Sequence, residues 1–390
     1  MKFDVKNGEL VIALEGRIDS NNAAQTEKEV FDVVNGNAHT TLTLDLSALE
    51  YISSAGLRIL LKLRKSDSSL KVINVSSDVY EIFDMTGFTE MMEIAKAYKT
   101  MSVDGCEVIG QGANGLVYRI NDETIIKLYR NPDCLDDIKR ERALAKKAFV
   151  LGIPTAISYE IVKVDDSYGS VFELLNAQSF AKLLANDPEH LDKYVELYID
   201  LLKKIHSTVV EDSDMVDMRQ TAISWAVFDQ EYLPKDIGDK LVSLVKAVPY
   251  DKHMMHGDYH IKNVMMQNDE VLLIDMDTLC IGNPIFELGS MFNAYKGFAS
   301  RAKSKSIDFL GIDKVIADEF WRKSLMAYTG TSDDAKINEV EQKAEVVGYM
   351  RLLRRLIRRG GLEDEEKKKE VDFYISKLVE LVPKVDTLII

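Results

Sequence analysis

Two segments in the second half of the chain contain residue types that could carry out proton transfer and metal binding. The segment HGDYHIKN places Asp258 and Asn263 five positions apart on a predicted loop. This spacing lets the aspartate accept a proton from a hydroxyl group while the asparagine amide oxygen reaches a metal ion. The segment LLIDMD ends an apolar strand with Asp275 and Asp277. Two carboxylates are costly to bury there unless a metal ion or a cation compensates their charge.

A glycine-rich segment with the pattern GxGxxG precedes these residues. It reads GQGANGLVY and contributes Gly110, Gly112, Gly115 and Val117. No helix follows the glycines, whereas a dinucleotide-binding fold requires a strand, the glycines and then a helix. The context instead favours a flap over nucleotide phosphates, in which missing side chains let backbone amides approach the oxygens.

A lysine and a glutamate follow the flap within predicted apolar surfaces. Lys127 lies in the strand segment IIKL, and taken alone it would more often extend its amine into water. Its position twelve residues after Gly115 favours a cleft instead. Glu141 lies on the buried stripe of a predicted helix and needs a cation, for which Lys127 is the natural partner. The alternative is an exposed helix charge paired with a neighbouring base. The other members of the stripe are Ile138, Ala145, Ala148 and Phe149.

The elements that must position these groups form two patterns along the chain. From residue 3 to about residue 97, short strands alternate with amphipathic helices, which predicts a small α/β layer. The predicted strands cover residues 10–14, 41–46 and 70–75. The predicted helices cover residues 20–34, 54–65 and 79–85, and Asp19 or Ser20 is the predicted N-cap of the first.

A different pattern begins after a break at about residues 98–105. Hairpin strands are predicted over 107–118 and 119–128, followed by a helix over 135–150. Beyond residue 176 the chain is largely helical, with short strands near 263–274. Strands followed by helices predict a two-lobed α+β unit. The predicted domains are residues 1–100, an N-lobe over 105–176 and a C-lobe over 177–390.

The composition is that of a folded chain with enough length for two cores. Of its 390 residues, 46% are hydrophobic and 29% are charged, and the net charge is −15 at pH 7. The apolar fraction excludes disorder as the main state. The acidic balance disfavours nucleic acid and anionic membranes as partners, and it tolerates or attracts a cationic substrate.

Cysteine usage and the lack of targeting signals indicate the compartment. Cys106, Cys134 and Cys280 are isolated and form no CxxC pair, which disfavours a disulfide framework and a thiolate zinc site. The first residues lack the apolar run and cleavage site of a signal peptide, and no stretch of about 18 apolar residues could span a membrane. We therefore expect a cytoplasmic protein.

In their order along the chain, the motifs resemble the aminoglycoside phosphotransferase and choline kinase branch of the protein-kinase-like fold. The resemblance covers residues 107–361 and includes the segment GNPIFELG. HGD in place of HRD, with His260 two positions after the aspartate, indicates this branch and not an ordinary protein kinase. The resemblance implies a two-lobed α+β kinase-like domain after the α/β layer.

The same resemblance implies roles in ATP-dependent phosphoryl transfer. Asp258 would orient or deprotonate the acceptor hydroxyl group. Lys127, paired with Glu141, would contact the α- and β-phosphates under the glycine flap. The implied cofactor is Mg²⁺ with ATP, and GTP stays open as the alternative nucleotide.

The metal and adenine positions are also implied by the resemblance. Asn263 and Asp275 would hold Mg²⁺, with Asp277 as an auxiliary ligand. The segment FELL resembles the hinge of the family, where the Glu173 carbonyl and the Leu175 amide would face an adenine.

One segment departs from the family pattern. Family members often have GDPxxDL where this chain has GNPIFEL, so Asn283 and Glu287 replace aspartates. Glu287 preserves the charge. Its role in bracing the catalytic loop, which is the segment HGDYHIKN at residues 256–263, is left open.

Residues 1–97 resemble a STAS domain, the fold of anti-sigma factor antagonists. The matching segments are LDLSALEYISSAGL and GRIDSNNA. In that family the serine that opens the helix, here Ser54, is the phosphorylation site. Free amides and the positive dipole end at a helix N-terminus would stabilise the attached phosphate. Ser53 replaces the aspartate that often precedes this site, and the alternative is that Ser54 serves only as an N-cap.

A basic stripe on one predicted helix is an exception in this acidic chain. It could seat an acidic surface of the STAS domain or a phosphorylated group. The favoured interpretation is a solvated face that the acids at 363–366 balance. The stripe comprises Arg351, Arg354, Arg355, Arg358 and Arg359.

The leading hypothesis is a phosphotransferase that acts on a hydroxyl group of a small molecule. Acidic walls suit amines, and the acid content of residues 207–250 favours a cationic acceptor, although surface carboxylates are the default explanation. A second hypothesis is a serine protein kinase of a signalling module, which phosphorylates Ser54 of its own STAS domain or that of an anti-sigma-type partner. A third is a non-catalytic nucleotide-binding scaffold. The acids that motivate this expectation include Asp212, Asp214, Asp217, Asp229 and Glu231.

Overall fold

The structure is a computed structural model that describes residues 1–112, 115–211, 215–298 and 309–390. The chain divides into two compact units, one of residues 1–104 and 161–169, the other of residues 105–160 and 170–390. Within the described ranges, no helix is both long and apolar enough to cross a membrane.

The strands and helices are numbered in chain order. The strands are β1 (Lys2–Lys6), β2 (Glu9–Ile18), β3 (Thr41–Ile52), β4 (Lys71–Val75), β5 (Ile94–Lys96), β6 (Lys99–Thr100), β7 (Glu107–Gln111), β8 (Gly115–Arg119), β9 (Thr124–Tyr129), β10 (Glu160–Val164), β11 (Ser167–Glu173), β12 (Gln178–Ser179), β13 (Val216–Asp217), β14 (Met254–Met255), β15 (Val264–Gln267), β16 (Glu270–Leu273) and β17 (Cys280–Ile281). The helices are α1 (Ala23–Gly36), α2 (Ser54–Ser66), α3 (Ser77–Met85), α4 (Phe88–Met91), α5 (Leu135–Val150), α6 (Phe180–Asn186), α7 (Leu191–Ser207), α8 (Met218–Gln230), α9 (Lys235–Ala247), α10 (Pro284–Phe292), α11 (Lys314–Thr329), α12 (Asp334–Ile357) and α13 (Glu365–Leu381).

The first unit is built on a five-stranded sheet in the order β1-β2-β3-β4-β5. β1 and β2 form an antiparallel hairpin, and the remaining neighbours pair in parallel. Alternate residues of β2, such as Leu10 and Ile12, are fully buried. Val30 of α1, Leu60 of α2 and Phe83 of α3 join the same core. The arrangement is the α/β layer that the sequence predicts.

The predicted N-cap of α1 at Asp19 or Ser20 is wrong, because α1 begins at Ala23 after Asn22. The intervening residues form a hydrogen-bonded turn instead of a helical one. The Asn22 side chain accepts from the Asp19 amide at 2.9 Å, and the Asp19 side chain accepts from the Asn21 amide at 2.8 Å. Short polar side chains compete with the helix in this way.

The second unit begins with three antiparallel strands, β7, β8 and β9. The two predicted strands over 107–118 and 119–128 are wrong in their bounds, because the chain turns within the glycine segment and again at Asn121. The Asn121 side chain accepts from the Glu123 amide at 2.9 Å and closes the second turn. Residues 113 and 114 of the glycine segment lie outside the described residues. In the following helix, α5, the predicted stripe is buried except for Phe149, which is 53% exposed.

The remainder of the second unit packs helices around a large aromatic core. The ring of Tyr295 stacks on Phe320 and Trp321, with centroid distances of 5.6 and 6.0 Å. The Tyr259 hydroxyl donates to the Tyr198 carbonyl at 2.6 Å, and the Tyr198 hydroxyl donates to the Tyr259 carbonyl at 3.3 Å. These buried bonds fix the HGDYHIKN segment to α7.

Candidate active site

Lys127 is the centre of an ion-pair network that joins three elements. From β9, its Nζ lies 2.8 Å from Glu141 Oε1 on α5 and 2.8 Å from Asp275 Oδ1. Two residues further along β9, the Tyr129 hydroxyl donates to Glu141 Oε2 at 2.6 Å. The predicted Lys127–Glu141 pair is present, and Asp275, 148 positions away in sequence, completes the network.

The network keeps a cation inside the cleft. Burial lowers the pKa of Lys127, but the Asp275 and Glu141 carboxylates outweigh it and raise that pKa above its ordinary value. Burial also raises the pKa of Tyr129, so its hydroxyl remains a donor to Glu141. Only 18% of the Lys127 side chain is exposed, which excludes the water-facing alternative. A fixed ammonium of this kind can bind phosphate oxygens.

The β7–β8 hairpin carries the glycine-rich segment. Gly110 is opposite Val117, and the Gly112 amide donates to the Gly115 carbonyl at 3.0 Å. A Cβ at Gly115 would lie 2.1 Å from the Leu128 carbonyl oxygen of β9, so no side chain fits there. A Cβ at Gly112 would have no neighbour within 4 Å among the described residues. Packing therefore requires Gly115, whereas the space beside Gly112 is open.

Asp258 lies on a loop whose conformation depends on the two residues before it. Gly257 has a φ of +82°, and a Cβ there would lie 2.5 Å from the Thr278 carbonyl oxygen. His256 is fully buried; its Nδ1 accepts from the Asp258 amide at 3.3 Å, and its Nε2 donates to the Ile274 carbonyl at 3.1 Å. These partners select the tautomer that carries its proton on Nε2. They also connect Asp258 to the residue that precedes Asp275.

Glu287 of α10 binds the backbone of the same loop through its buried carboxylate. It accepts from the amides of His256 at 2.6 Å, Gly257 at 3.0 Å and Tyr259 at 3.4 Å. Burial raises the pKa of Glu287, but His206 and the loop amides lower it below its ordinary value. The glutamate that replaces the family aspartate thus braces the catalytic loop, which the sequence left open.

Arg351 of α12 is a second brace, and sequence reasoning did not find it. Its guanidinium donates to the Gly257 carbonyl at 3.0 Å and to Ser290 Oγ at 2.7 Å. Ser290 in turn donates to the Gly257 carbonyl at 3.1 Å. The predicted solvated face is therefore wrong for this member of the basic stripe. Spacing alone cannot separate the two cases, because a helical stripe has the same pattern whether it faces water or a buried loop.

The candidate metal ligands lie on either side of the β15–β16 hairpin. The pairing of these strands returns the chain so that the Ile274 amide donates to the Asn263 carbonyl at 2.9 Å. The Asn263 Nδ2 donates to the Asp258 carbonyl at 3.0 Å. Burial, followed by the charges of Asp275 and Glu141, raises the pKa of Asp277 to about 7. This side of the cleft therefore has an excess of negative charge.

These residues fit a magnesium ion. An amide oxygen and two carboxylates are the hard oxygen ligands that Mg²⁺ prefers, and it usually takes only one or two protein carboxylates together with substrate phosphates. In the described part of the chain, no group of three or more His, Cys, Asp or Glu side chains could hold a metal by itself. The site would therefore need Asn263 and the nucleotide oxygens as ligands.

The Asp258 carboxylate is ionised at neutral pH. Burial raises its pKa, but His260, Arg351 and His256 together lower it to about 2. His260 Nε2 lies 3.5 Å from Asp258 Oδ2. An ionised carboxylate in this position can accept a hydrogen bond from a hydroxyl group and then its proton.

The predicted hinge follows β11, which ends at Glu173. The Leu174 amide donates to the Glu123 carbonyl at 2.7 Å, which fixes the segment to the β8–β9 turn. Within the described residues, the Leu175 amide makes no backbone hydrogen bond. Its contact with an adenine, like that of the Glu173 carbonyl, stays a prediction.

Comparison with known families settles the class of the protein. The model of the phosphotransferase enzyme family (APH) matches residues 105–304, which is more than half of the chain. The chain belongs to this phosphotransferase family. Its first 101 residues match the STAS domain model. The putative anti-sigma factor antagonist BtrV of Bordetella bronchiseptica is 34% identical over 101 residues, 25% of this chain and 86% of that protein.

This phosphotransferase was also compared with solved structures. A thermostable mutant of aminoglycoside phosphotransferase APH(4)-Ia, in a ternary complex with AMP-PNP and hygromycin B, has a TM-score of 0.51 and 10% identity, over 72% of this chain and 93% of that one. A choline/ethanolamine kinase family protein from Mesorhizobium loti has a TM-score of 0.45 and 14% identity, over 71% of this chain and 87% of that one. The predicted fold class, an α/β STAS-like domain followed by an α+β kinase-like domain, is confirmed.

In the STAS domain of this phosphotransferase, Ser54 is the first residue of α2, and its N-cap is Ser53. Ser53 Oγ accepts from the amides of Ala55 at 3.2 Å and Gly56 at 3.5 Å. The alternative that Ser54 serves as the N-cap is therefore wrong. The Ser54 side chain is exposed in the first turn, where the helix dipole favours an anion. Its phosphorylation stays a prediction.

The acids expected to favour a cationic acceptor have other surroundings in this phosphotransferase. Asp217 is the N-cap of α8 and accepts from the Arg219 amide at 2.8 Å. Asp229 is fully buried, and Glu231 is exposed at the end of α8. Asp212 and Asp214 lie outside the described residues. None of the three described acids lines the cleft beside Asp258.

Proposed function

We propose that this protein transfers the γ-phosphate of ATP to a hydroxyl group of a small molecule. The observation that supports the proposal best is the contact of Lys127 with both Glu141 and Asp275, each at 2.8 Å. This contact joins β9, the strand after the β7–β8 hairpin, to the segment LLIDMD, which follows the catalytic loop. Lys127 and the backbone of Gly110, Gly112 and Gly115 would bind the phosphates.

The remaining site residues have complementary roles in the proposal. Asp258 orients the acceptor hydroxyl group and receives its proton. Asn263, Asp275 and Asp277 would hold Mg²⁺, which neutralises charge on the phosphate oxygens when bound. The Glu173 carbonyl, the Leu175 amide and the side chain of Val117 would surround the base. Most of the catalysis is positioning and charge stabilisation.

The Asp258→Asn variant tests the proposal. We expect it to lose several orders of magnitude in phosphate transfer while it keeps nearly the same affinity for Mg·ATP, because Asp258 acts on the acceptor. Asp200→Asn, a change at an exposed position in the middle of α7, is the matched control. Transfer by Asp258→Asn at the rate of the control would refute the role. Nucleotide binding without transfer to any acceptor would instead favour the scaffold hypothesis. ATP and GTP are compared in the same assay.

A second candidate function is phosphorylation of Ser54 in its own STAS domain or in a partner's. It is favoured by the exposed Ser54 hydroxyl, which the cap leaves unused because Ser53 performs that role. Ser77 is the matched control, since it is also an exposed first residue of a helix, α3, that a preceding serine caps. After incubation with labelled ATP, Ser54→Ala should lose the label and Ser77→Ala should keep it. Equal labelling of both variants would exclude this function.

A further inference from the structure

The cleft beside Asp258 has positively charged walls. Its lining includes Ser290, Phe298, Phe309, Arg351 and Arg355. Lys262 of the catalytic loop adds a further positive charge, with its Nζ 5.3 Å from the centre of the Phe309 ring. In a protein of net charge −15, this cleft thus has two arginines in its lining and a lysine nearby, together with the Asp258 carboxylate.

Arg351 and Arg355 differ in the contacts that they make. Arg351 is committed to the catalytic loop through its bonds to Gly257 and Ser290. Arg355, one turn further along α12, is exposed and lies over the Phe298 ring at 5.9 Å. Burial and the neighbouring charges of Arg359 and Arg351 lower the pKa of Arg355, and the charges of Asp258 and Tyr374 oppose this shift. A guanidinium stays protonated all the same.

These observations bear on the chemical class of the acceptor. Resting on the function proposed above, we propose that the acceptor is a small hydroxyl compound that also carries an oxyanion, either a carboxylate or a phosphate, and that Arg355 binds this oxyanion. The planar guanidinium matches both groups, because each offers two oxygens to its parallel N–H donors. The aromatic rings of Phe298 and Phe309 would cover the carbon frame. This proposal differs from the expectation of a cationic acceptor, which stays a prediction.

The reaction balances with the groups at hand. The acceptor hydroxyl oxygen forms a bond to the γ-phosphorus while the bond from that phosphorus to the β–γ bridging oxygen breaks. ADP leaves with the electron pair of the broken bond, and the hydroxyl proton passes to the Asp258 carboxylate. The product is a phosphate monoester that carries a second anionic group.

A matched series of three-carbon acceptors tests the charge preference of the full-length protein. Glycerol, D-glycerate, glycerol 3-phosphate and 2-amino-1,3-propanediol share hydroxyl groups and differ in charge, and the measured quantity is acceptor-dependent ADP release. We expect one of the two anions to have the highest kcat/KM, and which of them it is tells carboxylate from phosphate. A higher kcat/KM for the amine or for glycerol would overturn the proposal.

The variant Arg355→Gln tests the residue, with Arg358→Gln as its control, because Arg358 is also exposed near the end of α12 but does not line the cleft beside Asp258. Arg355→Gln should raise KM for the anionic acceptor about ten- to a hundredfold, the loss expected for one charge-assisted contact, with little change in kcat. Arg355→Lys should recover part of this loss. Equal KM values for Arg355→Gln and Arg358→Gln would show that Arg355 does not bind the acceptor.

Anion binding is measured in parallel, so that the test does not require the series to contain the true carbon skeleton of the acceptor. D-Glycerate and inorganic phosphate are titrated calorimetrically into the full-length protein with Mg·ADP. We expect at least one to bind at millimolar concentration to wild type and Arg358→Gln and neither to bind Arg355→Gln. No binding of either anion to the wild type would refute the inference. Anion binding combined with unchanged transfer by Asp258→Asn would refute the proposed function alone.

Discussion

The carboxyl group of Asp229 is buried in surroundings that disfavour its charged form. Its effect on the stability of the protein can therefore be predicted quantitatively. It lies near the end of α8, fully buried, and neither of its side-chain oxygens has a hydrogen-bond partner among the described residues. Burial raises its pKa to about 9, and the charge of Arg354 only partly opposes this. The folded protein therefore holds a proton on Asp229 that the unfolded chain, with a pKa near 3.8, has released at neutral pH.

The sign and size of the effect follow from this difference. Below pH 3.8 both states are protonated, and the contribution of Asp229 to stability is fully present. As the pH rises toward 9, only the unfolded state loses the proton, so the folded state becomes less stable by about 1.36 kcal/mol per pH unit. From pH 5 to pH 8 this amounts to about 4 kcal/mol. Asp229→Asn removes the ionisable group and with it this loss.

The assay uses the two tryptophans, Trp225 and Trp321, which both lie in the second unit. Their fluorescence follows urea unfolding of that unit without a contribution from the first. We expect Asp229→Asn to gain stability relative to wild type, and to gain about 4 kcal/mol more at pH 8 than at pH 5. Asp200→Asn, on the exposed surface, should follow the wild type at both pH values.

A variant whose stability relative to wild type stays constant from pH 5 to pH 8 would refute the reasoning. In that case Asp229 would titrate alike in the folded and unfolded states, which requires a compensating partner in the folded protein.

Three further predictions concern the Glu287 brace, the Lys127 ion pair and the cap of α2. Glu287→Gln replaces one acceptor oxygen by an amide that faces the loop N–H donors. We therefore expect the free energy of unfolding to fall by about 1.5–3 kcal/mol, measured by urea unfolding, and kcat to fall, measured by ADP release. An unchanged kcat would show that Glu287 does not position Asp258. Lys127→Met leaves the Glu141 carboxylate buried without its cation and should lower the free energy of unfolding by about 3–5 kcal/mol. The double variant with Glu141→Gln should recover part of this loss. Equal stability of the single and double variants would contradict the prediction. Ser53→Ala should cost about 1 kcal/mol and speed hydrogen exchange of the first α2 amides, unlike Ser54→Ala; unchanged exchange would mean that the cap contributes nothing.

Local patterns in the sequence predicted those parts of the site that lie on single elements. The spacing of Asp258 and Asn263 within one loop, and the position of Glu141 on a buried helix face, are both readable from short segments. The turns were harder, because the start of the α1 helix depends on whether Asp19 and Asn22 bond to a turn or to the helix. The same holds for the second turn at Asn121.

The sequence by itself determined the two folds and the residue types that meet in the cleft, because periodicity and motif spacing report which face of an element is buried. Only the tertiary structure decided which distant groups meet: Lys127 with Asp275, Glu287 with the amides of the catalytic loop, and Arg351 with Gly257. It also decided that Arg355 lies beside Asp258 while Asp229 lies in the core. Residues far apart in the chain come together through the packing of whole elements, and no local pattern contains that information.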